Sequence, residues 1–470
     1  LLATWTLDAL ISTIGDEGEI VYYMARHLEW PVLGFALLVS LVTGLLFGLY
    51  PAWSAARGTV SSTLKEDSAN SSSSRAGVRA RKVLVTAQVA VSILLLIPMG
   101  LFLKSLVNLT RVNLGFQKEN LITFGISPEL NGYTPERSRQ LFIRAEEQLA
   151  AIPGVRGVTM SLVPLIGGNN WGNNLTVDGF ANDDPKSDTH SMFNSVGPGY
   201  FAQLGMPLIG GREFTPADTQ ASQKVAVVNQ TFARHFFGAK SPIGRRFGLG
   251  GGKDVKLDTE IVGVVKDANY SSVRGKVPKL YFLSYRQSSE VGSIQVYIRT
   301  ALPTAQMVTQ IRRVMTRLDS DLPLESLRTM EEQIRRNIQS DRLVLQLASA
   351  FALLATALAM LGLYGVMAHN VARRTREIGI RMALGAGTGR IQQMVLREVA
   401  MILGVGALIG TPAALGLARF AESQLFGVKS FDPGVLVGAL LALALAALLA
   451  GLLPARRASS VNPISALRYE

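Results

Sequence analysis

The sequence predicts a multi-pass membrane protein, an α-helical transmembrane bundle that carries a mixed α+β extracytoplasmic domain. Three observations predict it. Only 17% of the 470 residues are charged and 48% are hydrophobic, whereas about a quarter of a soluble domain is charged. The apolar residues gather into long runs without charge. Between two of those runs, residues 105–342 carry the short strand and helix periods of a folded domain.

A bilayer core takes about 20 mostly apolar residues in helical form. Five stretches qualify: Val32 to Tyr50, Val83 to Leu103, Val344 to His369, Val399 to Ala418 and Val435 to Leu453, none containing Asp, Glu, Lys or Arg. A sixth piece, Leu1 to Ile14, contains Asp8 and is too short, so it reads as the end of an earlier span in a chain truncated at its N-terminus. Orientation follows from loop charge, because basic loops stay cytoplasmic. Arg57, Lys65, Arg75, Arg79, Arg81 and Lys82 lie between the first two spans. Six arginines fall between Arg373 and Arg397, and Arg456, Arg457 and Arg468 follow the last span. The segment before the first span holds Asp8, Asp16, Glu17, Glu19 and Glu29 against Arg26. Every loop then obeys one assignment, with 105–342 and the short loop Phe426 to Pro433 outside the cytoplasm.

Within 105–342, Val225 to Val228, Ile261 to Val265 and Ile294 to Ile298 read as strands, and Pro135 to Ile152 and Thr304 to Leu318 as helices. Pro153-Gly154 and Gly210-Gly211 read as turns. Leu327 to Leu345 reads as one helix entering the third span, with Met330, Ile334, Ile338 and Leu343 recurring at helical spacing. The absence of cysteine removes disulfides and thiolate chemistry, so the domain is held by its own core. The net charge of +13 matches basic clusters abutting spans. No basic stripe interleaved with aromatics is present, so nucleic acid is not an expected partner.

Gly48 to Arg57 (GLYPAWSAAR) and Gly451 to Ser460 (GLLPARRASS) align without a gap, matching Pro51 with Pro454, Ala52 with Ala455, Ala55 with Ala458 and Leu64 with Leu467. In both, a proline closing an apolar span is followed by a short basic helix. This suggests a duplication in which 1–66 is the end of an upstream permease repeat and 67–78 a cytoplasmic linker, serine-rich at Ser71 to Ser74. The unit that follows comprises a span at 79–104, the outer domain at 105–342 and a three-span domain at 343–470.

Arg373 to Ala386 (RRTREIGIRMALGA) resembles the cytoplasmic loop signature of FtsX/MacB-type ABC transporter permeases. Pro454, Ala455, Arg456 and Arg457, with Pro463, Leu467 and Arg468, are similar to the family's terminal motif. Gln88-Val89-Ala90, Gly115-Phe116, Tyr200-Phe201, Gly205 to Leu208, Gly211 to Phe214 and Val227 to Asn229 resemble its entry into, and parts of, a MacB-like periplasmic core. The doubled arrangement is similar to the duplicated permeases of acidobacteria. The resemblance implies a non-catalytic permease subunit in the cell inner (plasma) membrane, without a cofactor, serving efflux or extracytoplasmic transport. It implies a cytoplasmic ABC ATPase as a separate partner, alongside membrane lipids and a second permease or the upstream repeat. A coupling helix over roughly Glu377 to Ile391 would meet that ATPase, the loop's residues being Arg376, Glu377, Gly379, Ile380, Arg381, Leu384, Gly385, Ala386 and Arg390. The helix Leu327 to Leu345 would relay motion outward.

Other chemistries find no footing. Gly248 to Asp254 lacks the glycine spacing and the Ser or Thr of a phosphate loop and reads as a hairpin tip. His27, His190, His235 and His369 are isolated, Asp183-Asp184 reads as a solvated loop pair, and no Gly-x-Ser-x-Gly elbow appears. The spans lack the ionisable groups of ion-coupled carriers. They hold instead Gly44 with Gly48 and Gly406 with Gly410, at the spacing of close helix contact. A membrane-anchored sensor or scaffold is one alternative, weakened by the lack of a signalling domain after the last span. A regulator of a cell-wall hydrolase is another.

Overall fold

A computed structural model describes residues 30–56, 72–180, 187–252, 254–384 and 387–459. Its contacts divide into two compact units. One takes residues up to Gly100, Ala348–Phe420 and Phe431 onward; the other takes Leu101–Leu347 and Ala421–Ser430.

The first unit is helical. Helix α1 spans Trp30–Ala56, α2 Ser72–Arg111, and four further helices are introduced below as they arise. Among the described residues, four helical stretches are long and apolar enough to cross a membrane: Arg79–Arg111, Gln339–Arg373, Thr388–Phe420 and Pro433–Ser459. Helix α1, which holds the first expected span, contributes the shorter apolar stretch Leu33–Val42. The apolar runs become helices because lipid satisfies no backbone polar group, so each must bond within its own segment.

Small residues decide where these helices touch. A Cβ at Gly406 would lie 2.4 Å from Val89 Cγ1, and one at Gly410 would lie 2.6 Å from the Ala90 carbonyl oxygen. The expected Gly406/Gly410 pair therefore seats the helix Thr388–Phe420 against α2. Gly451 plays the same part in the helix Pro433–Ser459, where a Cβ would come within 3.0 Å of Val399 Cγ2. Gly44 has no neighbour within 4 Å of its would-be Cβ. Pro454 does not close a span as its sequence suggested. It is buried inside its helix, which runs on to Ser459, and Pro51 likewise lies within α1. A membrane helix tolerates the one lost backbone bond when its neighbours cover the site.

The second unit is built on an eleven-stranded sheet. Strand β1 (Leu121–Ile126) is buried at all six positions, the continuous apolar run of a strand covered on both faces. It leads into α3 (Pro135–Ala150) and β2 (Val155–Ser161). The Thr134 hydroxyl caps α3 by accepting from the Arg137 N–H at 3.3 Å, and Pro135 takes the first helical position. Far along the chain, β10 (Ile294–Thr300), α6 (Thr304–Leu318) and β11 (Glu325–Thr329) repeat that strand–helix–strand pattern. The order β11–β1–β10–β2 is antiparallel throughout, which makes this half a split βαβ of ferredoxin-like type. Phe142, Leu141, Met307, Ile311 and Met315 of the two helices bury against Ile122, Phe124, Val296 and Ile298 of the sheet.

Between β2 and β10 the chain inserts β3 (Gly172–Val177), β4 (His190–Val196), α4 (Tyr200–Leu204), β5 (Leu208–Gly211), β6 (Val225–Asn229), α5 (Gln230–Phe237), β7 (Arg246–Leu249), β8 (Thr259–Val265) and β9 (Leu280–Ser284). Six of these strands close on themselves in the order β4–β3–β7–β8–β6–β9, with β9 pairing back to β4 in parallel. Closure leaves no free edge within the ring. A core of Leu175, Val177, Phe232, Phe236, Phe247, Ile261 and Tyr281 lies against it.

The strand and helix expectations over residues 105–342 hold, with two corrections. Gly210-Gly211 is not a turn but the end of β5, which pairs with β8. Gly211 has φ +76°, and a Cβ there would meet the Val262 carbonyl oxygen at 2.1 Å, so the position accepts only glycine. Leu327 to Leu345 is not one helix either. Leu327 to Thr329 belongs to β11, pairing with β1. Helix α7 (Met330–Asn337) then starts under a Thr329 cap that accepts from the Glu332 N–H, and Ile338 interrupts it before α8 (Gln339–Arg373) begins. The capping hydroxyl and the edge pairing override the apolar periodicity that had merged the three.

Replacing Gly410 by alanine drives a methyl into backbone, which no rotamer change relieves, and costs about 1–3 kcal/mol. The same change at Gly404, which has open space around it, leaves stability unchanged or raised. Thermal unfolding of both variants in detergent checks this pair.

Candidate functional site

Two places in the chain gather polar groups at helix ends, one in each unit. In the sheet unit, Asn337 is the last residue of α7. Its Nδ2 donates to the carbonyls of Ile166 and Ser271, both at 3.2 Å. Its Oδ1 accepts from the Val273 N–H at 3.0 Å and the Ser272 hydroxyl at 3.3 Å. One amide thereby uses both donors and both lone pairs and fixes the loop 271–273 on the helix end.

One turn further, Asp341 in the first turn of α8 pairs with Arg274, whose Nε donates to it at 3.2 Å. Arg274 Nη1 also donates to the Gln424 carbonyl at 2.9 Å. Burial pushes the Arg274 guanidinium below its ordinary value, yet its fork still spans a carboxylate and a carbonyl. The segment 421–430 is held from α2 as well: Asn108 Nδ2 donates to the Gly427 carbonyl at 3.2 Å, and the Ser105 hydroxyl accepts from the Phe426 N–H at 2.9 Å. Beneath these bonds, Leu109, Met330 and Ile338 are buried in the core that contains Tyr200, Phe201 and Tyr297. The ends of α2 and α8 in this unit are thus tied to the sheet and to the segment 421–430 by Asn337, Asp341, Arg274, Asn108 and Ser105, and by one apolar core.

Sequence reasoning placed a relay here but chose the apolar stripe. Met330 and Ile338 are buried and Ile334 packs against the same core. Asn337, Asp341, Arg274 and Asn108 were missed. Only the Asn337/Asp341 pair left a trace, as polar residues four apart on a helix about to turn apolar; Arg274 and Asn108 are remote in sequence.

In the helical unit, α9 (Thr375–Ala383) carries the expected loop signature. The helix expected over Glu377 to Ile391 is shorter, because Leu384 ends it and Thr388 to Ile391 already belong to α10 (Thr388–Phe420). Ile378 and Gly379 face inward and are buried. Glu377, Ile380, Arg381 and Leu384 fall at the i, i+3, i+4, i+7 positions of the opposite face. There Ile380 is 44% and Leu384 82% exposed. Arg381 donates to Glu377 at 2.6 Å across one turn, both half exposed, and lies 3.2 Å from the Met394 sulfur. Such an exposed pair adds roughly 0.3–0.5 kcal/mol, too little to explain its presence by stability. Arg390 is exposed on α10. Gly385 and Ala386, and the side chain of Arg376, lie outside the described residues.

Of the terminal motif, Pro454 and Ala455 are buried in α11 (Pro433–Ser459), while Arg456 and Arg457 are exposed. Arg457 Nη1 donates to the Tyr364 hydroxyl at 3.2 Å, and Gln392 Nε2 of α10 donates to the Ser459 hydroxyl at 3.2 Å. Pro463, Leu467 and Arg468 lie outside the described residues, as do Asp183-Asp184 and His27. The glycine-rich segment after β7 is tied into the sheet, with the Thr176 hydroxyl donating to the Gly250 carbonyl at 3.0 Å and the Gly250 N–H donating to Asn174. Among the described residues no group of His, Asp or Glu is arranged to hold a metal ion.

Comparison with known proteins gives two matches to family models. The MacB-like periplasmic core domain matches residues 83–318, half of the chain. The FtsX-like permease C-terminal model matches residues 349–463. The chain is similar to the macrolide export ATP-binding/permease protein MacB of Burkholderia cenocepacia (strain HI2424), 29% identical over 292 residues, which cover 60% of this chain and 41% of that one. It is also similar to the ABC transporter permease YknZ of Bacillus subtilis (strain 168), 25% identical over 291 residues, 61% of this chain and 72% of that one. The chain spans about half the length of the export proteins it matches. Among solved structures, the periplasmic region of MacB from Actinobacillus actinomycetemcomitans aligns at 20% identity and a TM-score of 0.33, covering 50% of this chain and 98% of that one.

Asn337→Ala leaves the Val273 N–H without its protein partner, while the Ile166 and Ser271 carbonyls keep Gln333 Nε2 and the Gly168 N–H as donors, at a cost of about 1–3 kcal/mol. Hydrogen exchange should accelerate at Val273 and its neighbours before the β1–β10 amides respond. Asn337→Asp, which keeps the acceptor, should restore protection at Val273 more than at its surroundings.

Proposed function

Because this chain belongs to the MacB/FtsX family of ABC transporter permeases, a membrane protein with an extracytoplasmic domain, we propose that it is the permease subunit of a MacB-type transporter. ATP hydrolysis in a cytoplasmic ABC ATPase on a separate chain drives movement of the periplasmic domain, and the work serves efflux or extracytoplasmic transport. The observation that carries this reading is the outward face of α9. Two exposed apolar side chains, Ile380 and Leu384, sit one turn apart beside the Glu377–Arg381 pair. An exposed apolar pair flanked by charge is the composition of a protein-docking patch, with a buried centre and a charged rim.

In this reading α9 receives the ATPase, with Arg376, Gly379, Gly385, Ala386 and Arg390 completing the contact, and the terminal motif around Arg456 and Arg457 braces the neighbouring helix end. Helices α2 and α8 each contribute residues to both units, so they are the continuous elements along which displacement passes. We also propose that residues 1–66 close an upstream permease repeat and that 67–78 join it to the unit at 79–470, the residues from Ser72 onward being helical in α2 rather than a flexible linker. Pro51 and Pro454, matched in sequence, both lie inside helices, which supports that pairing.

Co-purification of the full chain with candidate ATPases from its own genome tests the docking face. Replacing Glu377 and Arg381 together by alanine should weaken ATPase binding roughly 30-fold or more and leave the unfolding temperature within about 1 °C. Binding that survives the double change would remove α9 as the docking element.

A further inference from the structure

In the first unit a cleft of about 540 Å³ opens between α2, the α8–α9 junction and α10. This volume is within the range of small-ligand sites. Four cations line it, Lys82, Arg374, Arg390 and Arg397, against the single carboxylate of Glu398. Glu398 is occupied already: Lys82 pairs with it, and Asn370 Nδ2 donates to it at 3.1 Å. Among the described residues Arg374, Arg390 and Arg397 have no carboxylate partner. Three positive charges therefore converge on one open space without an anion to balance them.

The level of the cleft and its mixture of cationic and thioether side chains specify what fits. Lys82 immediately precedes the uncharged stretch that begins at Val83, Arg397 stands two residues before the one that begins at Val399, and Arg374 follows the one ending at His369. These groups stand at the depth where a bilayer's phosphates lie. Along α10 the lining runs Arg390, Met394, Arg397, Met401, a helical i, i+4, i+7, i+11 row. It alternates charge and thioether and ends on Met401, which is 58% exposed. A soluble anion uses only the arginines of such a row. A molecule with a phosphate and an acyl chain uses all of it.

We propose that this cleft binds the head group of an anionic phospholipid. Arg390, Arg397 and Arg374 grip the phosphate, the bidentate match for which guanidinium is suited. Met394 and Met401 contact the glycerol and the first methylenes of the acyl chain. Basic pockets between membrane helices at this depth are suited to such head groups. Lys82, neutralised by Glu398, forms the wall rather than the grip. The proposal rests on the geometry of the cleft and not on ATPase docking, although Arg390 stands near both.

The test is native mass spectrometry of the full chain titrated with phosphatidylglycerol, cardiolipin or phosphatidylcholine in detergent. Phosphatidylglycerol and cardiolipin adducts should form at concentrations where phosphatidylcholine adducts do not. Arg390→Gln with Arg397→Gln should weaken them about 30-fold, while Arg419→Gln, at the opposite end of α10, leaves them unchanged. Millimolar inorganic phosphate should not displace the lipid. Equal retention of the zwitterionic lipid, displacement by phosphate alone, or undiminished adducts in the folded double variant would each overturn the assignment. So would a double variant that loses a bound ATPase and keeps its lipid.

Discussion

Asn337 spends every hydrogen bond its side chain can make on joining a helix end to two loops of the sheet domain. An amide in that position permits little slack, because any rotation that improves one bond breaks another. The neighbouring Arg274–Asp341 pair adds a charged brace, and Asn108 with Ser105 fastens the segment 421–430 to the end of α2. Met330 and Ile338 seal the underside within the core. The rest of the architecture depends on this joint. A closed ring of strands and a ferredoxin-like half make a stiff body, and a stiff body transmits displacement only as well as its attachment holds.

The helical unit follows a different rule. Its helices meet through glycine, with Gly406 and Gly410 bringing backbone against α2. Lipid offers no hydrophobic drive for helices to associate, so close packing supplies the attraction. Among the described residues, polar side chains join these helices where Lys82 and Asn370 meet Glu398, Gln392 meets Ser459 and Arg457 meets Tyr364. A bundle tied at its ends and close-fitted along its length suits rigid displacement of whole helices.

How much of this could be read from the sequence depended on the range of the forces involved. Long uncharged runs showed the membrane helices, since twenty apolar residues admit few other fates, and the Gly406/Gly410 spacing showed where two of them touch. Apolar strands such as Val225 to Val228 were legible for the same local reason. The stretch Leu327 to Leu345 was misread because three forms share one apolar period there; a strand pairing with distant β1 and a threonine cap divided it. Pro454 was misread as a terminator because the neighbours covering its missing bond are invisible along the chain. The joint was least legible. Asn337, Arg274 and Asn108 come from three separate segments, and only folding brings them to one place. The loop signature around Glu377 was seen, but not that Ile380 and Leu384 stand exposed on its outer face.

The central claim is that the sheet domain and the adjoining ends of α2 and α8 move as one body because of the joint at Asn337 and Asp341. The chain has no cysteine, so spin labels can be placed on cysteines introduced at Thr110 at the end of α2 and Ser222 in the sheet domain without altering native thiols. Electron–electron distance distributions between these labels should be narrow in the full chain bound to the ATPase proposed above, and unchanged between nucleotide-free and ATP-trapped states. Introducing Asn337→Ala with Asp341→Asn should broaden them. A distance that shifts with nucleotide while the joint is intact would contradict the account.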